Sequence, residues 1–190
     1  MSTEIAGPLP VFCAQLRPLV MKGTKRMTRR VVVPQPVNSD MFQFAPWKPG
    51  EIRYLREPLT RCTWHKDGAF ADYADDRANV RRRDNPERYV RWRWQKSVLP
   101  SIFMPAEYAR TFVRIESVRV ERLQDITEED ARQEGCDYAP ALTPIGSFMK
   151  LWDRLNAARG YPWSSNCWVW VLSWKLIDKP SDPTNKKPEE

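Results

Sequence analysis

Three stretches of the chain carry a hydrophobic period clear enough to name an element. From Pro144 to Ala158, Ile145, Phe148, Met149, Leu151, Trp152 and Leu155 recur at helical spacing and form one broad apolar stripe, which predicts a core-facing helix. From Asn166 to Ile177, Trp168, Trp170, Leu172, Trp174 and Leu176 share one face of a predicted strand, and the other face turns polar at Ser173 and Lys175. Between Thr111 and Leu123, Phe112, Arg114 and Glu116 alternate with Val113, Ile115 and Val118, a second strand with an irregularity expected at Ser117.

Shorter elements follow from punctuation. Leu16, Leu19, Val20 and Met21 suggest a helix with Pro18 in its first turn, closed by Gly23 in the left-handed conformation. Val31-Val32-Val33, bounded by Pro34 and Pro36, reads as a strand; Trp47-Lys48-Pro49-Gly50 is a turn, and Ile52 to Glu57 is another strand. Thr127-Glu128-Glu129-Asp130 starts a helix with capping-box chemistry, and Gly135 stops it after Glu134. Between Thr60 and Pro100 only Tyr89 to Trp94 alternates, setting Tyr89, Arg91 and Arg93 against Val90, Trp92 and Trp94. Beyond Asp178 the chain becomes a solvated tail over 178–190. Short strands broken by two or three helices give an α+β class, with a small β-barrel as the way to hide sheet edges.

Composition narrows the function. The 190 residues suit one domain and 42% hydrophobic residues supply a core; no run approaches a membrane span, and the N-terminal segment lacks signal-peptide character. The expectation is a cytoplasmic protein. Thirty-one Lys and Arg against 24 Asp and Glu leave +7, a balance that suits a polyanionic partner such as nucleic acid. The charge is segregated: Lys22, Lys25, Arg26, Arg29 and Arg30 cluster without an acid, and seven Arg fall between Arg77 and Arg93. Cys13, Cys62, Cys136 and Cys167 form no CxxC pair, and His65 is alone, so neither a metal site nor a disulfide framework is expected. No phosphate-loop motif is present, and no cofactor is expected.

Two constellations remain. Lys25 with Thr28 pairs an amine with a hydroxyl; the amine becomes a base only if burial or cationic neighbours lower its pKa, and Glu134 is the candidate carboxylate to orient it. A solvated basic segment after a helix is the plainer reading. The second constellation interleaves Arg91 and Arg93 with Trp92 and Trp94, with Trp64 nearby in sequence, as single-stranded nucleic acid requires for stacking and phosphate contact. An edge strand with a buried Trp face fits the same residues.

The segment Gly23-Thr24-Lys25-Arg26-Met27-Thr28-Arg29-Arg30 resembles the G-x-K-T-x-T-x-R signature of ASCH domains, relatives of the PUA domain. Lys48-Pro49-Gly50-Glu51 with Arg56-Glu57, the Thr127 to Gly135 helix ending in Glu-Gly, and Trp168-Val169-Trp170-Val171 resemble further family motifs in the family's order. Pro100 to Pro105, Val120 to Ile126 and Leu151-Trp152-Asp153 are similar to a long subgroup found in phages and prophages. The resemblance implies a PUA-like small β-barrel with flanking helices over 8–177, with 60–100 as a subgroup insert. It implies an RNA or nucleotide-like ligand, and hydrolysis of an acylated cytidine or of RNA. By that carry-over Thr28 is the nucleophile, Lys25 the base, Glu134 the proton-transfer partner, and Arg30 a phosphate or carbonyl contact. Arg26, Arg29, Arg30, Arg91, Arg93, Trp92 and Trp94 are the expected nucleic-acid contacts. The alternative is a non-catalytic phage-encoded interaction protein whose basic, Trp-rich surface binds nucleic acid or a host or phage protein, in the host cytoplasm.

Overall fold

The computed structural model describes residues 4–36, 45–62, 70–82, 87–136 and 142–180. Trp64, His65 and the tail beyond 180 lie outside them. The elements begin β1 (Ile5–Pro8), α1 (Arg17–Met21), β2 (Met27–Val31), β3 (Ile52–Tyr54), β4 (Leu59–Arg61), β5 (Ala71–Tyr73) and β6 (Val98–Leu99). They continue β7 (Phe112–Arg122), α2 (Glu128–Gln133), α3 (Pro144–Asn156) and β8 (Trp168–Ile177). The class is α+β and rich in sheet. Hydrogen bonds among the described residues close no barrel. Among the described residues no helix is long and apolar enough to cross a membrane.

The chain forms two compact units: Met1–Arg17 with Ile52–Val113 and Ile177–Glu190, and Pro18–Glu51 with Arg114–Leu176. In the first, β1 runs parallel to β3, with a register shift between Ile5 and Gly7. A separate antiparallel sheet has the order β5-β4-β6. Its core gathers Leu59, Ala71, Val80, Val90, Tyr108 and Phe112, with Trp92 and Trp94 packed partly buried against it. Glu57 is fully buried there; Arg110 donates to both its carboxylate oxygens, at 2.9 and 2.6 Å. A charge this deep is tolerated only because it is paired and hydrogen-bonded. Tyr89 to Trp94 forms isolated bridges, Phe70 with Arg91 and Arg81 with Tyr89, instead of a regular strand. The alternation still appears in burial: Val90 is buried, whereas Tyr89, Arg91 and Arg93 are exposed.

In the second unit β8 lies between β7 and β2. β2 and β8 pair antiparallel from Met27 opposite Ser173 to Val31 opposite Val169. That pairing starts the strand at Met27, ahead of the Val31–Val33 run read from sequence. A strand with neighbours on both edges and cover on both faces need not alternate. Val169, Val171 and Leu172 are accordingly all fully buried, and Leu176, expected on the apolar face, is exposed. β7 runs unbroken through Ser117, whose hydroxyl meets that of Ser173 at 2.7 Å. That contact is a polar cross-strand pair between β7 and β8. Thr127 caps α2 by accepting from the Asp130 N–H, and Thr143 caps α3 through Gly146. α3 buries Phe148, Leu151 and Trp152, while Leu155 is exposed.

Candidate functional site

The site is built where the α1–β2 link meets the end of α2. Gly23 has φ +73° and turns the chain after α1. The Lys25 N–H then donates to Leu19 O at 3.0 Å, and the Arg26 N–H donates to Gln133 O at 2.9 Å. These bonds set the basic segment against the last carbonyls of α2 before β2 begins. On the other side Glu134 is the C-cap of α2, and Gly135 follows with φ +86°. A Cβ on Gly135 would stand 2.7 Å from Leu19 Cδ1 and 3.7 Å from Lys25 Cβ, so glycine serves both the left-handed turn and the close approach.

Lys25 and Glu134 meet inside this frame. The Lys25 ammonium donates to Glu134 Oε2 at 2.6 Å, to Glu134 O at 2.9 Å and to Met27 O at 2.8 Å. Three acceptors match the three N–H groups of an ammonium. Only 1% of Lys25 and 2% of Glu134 is exposed, which makes water a poor competitor for the pair. Burial pushes the Lys25 pKa below the usual lysine range; Glu134 works against that shift, and the Arg30 charge adds to it. Glu134 Oε1 is buried with no hydrogen bond, 3.6 Å from an Arg29 terminal nitrogen. Burial, reinforced by the Glu134 charge, pushes the neighbouring Cys136 thiol up to about 12 and keeps it protonated.

Arg29 occupies a second, adjoining network. Its guanidinium reaches Glu121 on β7 and Asp130 on α2, both at 2.5 Å, and its centre lies 5.8 Å from the Phe148 ring. Arg119 bonds the same two acids, at 2.9 and 2.7 Å. Arg29 is thus buried and held by carboxylates. Thr28 is buried too, opposite Leu172 in the strand pairing. Successive strand residues face opposite sides, so Thr28 and Arg30 share one face of β2 while Met27 and Arg29 share the other. The structure brings Lys25 and Glu134 together; it places Thr28 three positions along, on the face of β2 away from Arg29. The acids Glu121 and Asp130 escaped sequence reasoning, because nothing local links them to a residue 92 and 101 positions earlier.

The remaining expected contacts lie elsewhere. Arg26 is exposed, and its carbonyl accepts from Trp174 N. Arg91 and Arg93 are exposed in the first unit. Trp92 and Trp94 pack edge to face at 4.8 Å, half buried. Among the described residues no three His, Cys, Asp or Glu side chains group as a metal site.

No family model matches the chain, and no curated protein does. Among solved structures it is similar to a DUF984 protein from Enterococcus faecalis, at 12% identity and a TM-score of 0.42, covering 86% of this chain and 71% of that one. It is also similar to an ASCH domain from Lactobacillus crispatus, at 11% identity and a TM-score of 0.44, covering 91% of this chain and 80% of that one.

Proposed function

We propose that this chain is an ASCH-type, PUA-like protein that binds RNA or a nucleotide-like ligand around the Lys25–Glu134 pair. The observation that carries the reading is the meeting of the signature's lysine with the glutamate of the Glu-Gly helix end, 109 positions away, at 2.6 Å. Burial holds the Lys25 pKa down, which favours the free amine, the form that acts as a base.

The finer reading is hydrolysis of an acylated cytidine. In it Thr28 Oγ attacks the acyl carbon and its proton passes to the Lys25 amine, which requires that opening of the site bring the hydroxyl round from its own face of β2. The cytidine nitrogen leaves with a proton from Lys25, Glu134 holds the ammonium between the two transfers, and water then cleaves the threonyl ester. All three groups are buried, so neighbouring side chains must part to admit a ligand. The test is turnover of N4-acetylcytidine and of RNA by wild type, Lys25→Ala and Thr28→Ala. Turnover lost in both variants, with fold retained by circular dichroism, supports the hydrolase. Absence of turnover by wild type across modified nucleosides and RNAs removes it.

One observation favours a second reading, a non-catalytic binding module of the phage type. The three acceptors around Lys25 Nζ also make it an internal staple, leaving recognition to exposed arginines. Under this reading the lysine variant loses stability but shows no specific loss of ligand affinity.

A further inference from the structure

The first unit holds a cleft that the Lys25 cluster does not use. Its volume is about 250 Å³, and Arg82, Arg88, Tyr89, Arg91, Arg93 and Tyr108 line it over the buried Val90. Its wall is built by backbone pairing. The Val90 N–H donates to Val80 O, the Ala71 N–H donates to Val90 O, and bridges join Arg81 to Tyr89 and Phe70 to Arg91. Four arginines therefore border a supported surface. Glu107 reaches two of them, 3.4 Å from Arg82 and 3.8 Å from Arg93. Tyr89 is 43% exposed, with the Arg81 guanidinium 4.7 Å from its ring centre.

We propose that this cleft binds a nucleoside phosphate, the arginines gripping the phosphate and Tyr89 offering a stacking surface to the base. Arginine's planar fork bonds phosphate in pairs, and an aromatic beside it takes any base. The volume admits a nucleotide-sized group, just below the usual 300–1,000 Å³ of small-molecule sites. Glu107 is an internal competitor, near two arginines until phosphate displaces it. The cleft is an independent site and does not rest on the reading of Lys25 and Glu134.

The chemistry has two sources, a free mononucleotide or a phosphate of a single strand, and calorimetry separates them. Adenosine, adenosine 5′-monophosphate, inorganic phosphate and a short oligonucleotide with and without a 5′-phosphate are titrated into the full chain at low salt. The monophosphate should bind where adenosine does not. The Arg88→Ala/Arg91→Ala variant should weaken it by about tenfold or more, as expected for loss of charge-assisted hydrogen bonds. Tyr89→Ala should weaken the monophosphate but not inorganic phosphate, and Glu107→Gln should tighten both. Binding of the monophosphate alone assigns a free nucleotide. Strand binding that needs the 5′-phosphate assigns a strand end, and strand binding that does not assigns backbone phosphate. Absence of binding by monophosphate and strand alike overturns the proposal. So does binding that the double arginine variant leaves unchanged, and that second outcome moves the ligand to another site without touching the cleft's fold.

Discussion

A buried ammonium is held in place by whatever shares its charge, so the Lys25–Glu134 pair is most informative when one partner is removed. Lys25→Met keeps much of the side-chain volume but leaves Glu134 buried without its hydrogen-bonded cation, with Arg29 3.6 Å away as the remaining charge, which should cost about 3 kcal/mol in urea unfolding. Adding Glu134→Leu should recover much of that loss, because an apolar pair no longer carries uncompensated charge. The pH dependence has a definite sign. The folded-state pKa of Lys25 lies below the unfolded value near 10.5, so in the window between them the unfolded chain binds more protons. The stability of wild type relative to Lys25→Met should therefore rise as pH increases through that window and level off above it. A flat or falling difference would show that Glu134 outweighs burial. At this scale the resemblance made the lysine and glutamate legible. The Arg29 clamp was not, because Arg26, Arg29 and Arg30 look alike in sequence and only burial distinguishes them.

Elements were legible where their signals are local. The Thr127 cap, the Gly135 stop and the α3 stripe are each decided by side chains within a few positions; the cap and the stop appear in the structure, as does the Phe148, Leu151 and Trp152 part of the stripe. Strand limits were less legible because they depend on distant partners: β2 is placed by β8, and Tyr89 to Trp94 finds only single bridges. The end of α2 offers a clean test. Gly50 and Gly135 both have φ near +87°, yet a Cβ on Gly50 meets nothing within 4 Å, whereas one on Gly135 meets Leu19. Gly50→Ala should cost the left-handed backbone penalty alone, about 1–2 kcal/mol. Gly135→Ala should cost more in the same thermal or urea measurement, the difference being the crowding of Leu19 and Lys25. Equal losses would mean that the Leu19 methyl moves aside freely.

For the whole molecule, the excess of 31 basic over 24 acidic residues is the property that sequence reports best, since it requires no folding. The two compact units were not legible, because the first gathers three separated segments and adjacency in space leaves no local mark. If single-stranded nucleic acid is bound through the exposed arginines, affinity should fall steeply with salt. Arg91→Glu/Arg93→Glu should then reduce the slope of log K against log salt by about 1.4, the loss of two single-strand phosphate contacts. An unchanged slope would place the strand elsewhere on the surface.

The partnership of β2 with β8 joins residues near 30 to residues near 170. A ribosome delivers them in that order, so a nascent chain carries Lys25 for 109 positions before Glu134 emerges, and exposes the edge of β2 until Trp174 follows. The second unit therefore closes only after β8 has left the ribosome. Stop codons upstream of Trp168 should release fragments that retain the caps of α2 and α3 but lack the central strand, and these should go to proteolysis instead of folding.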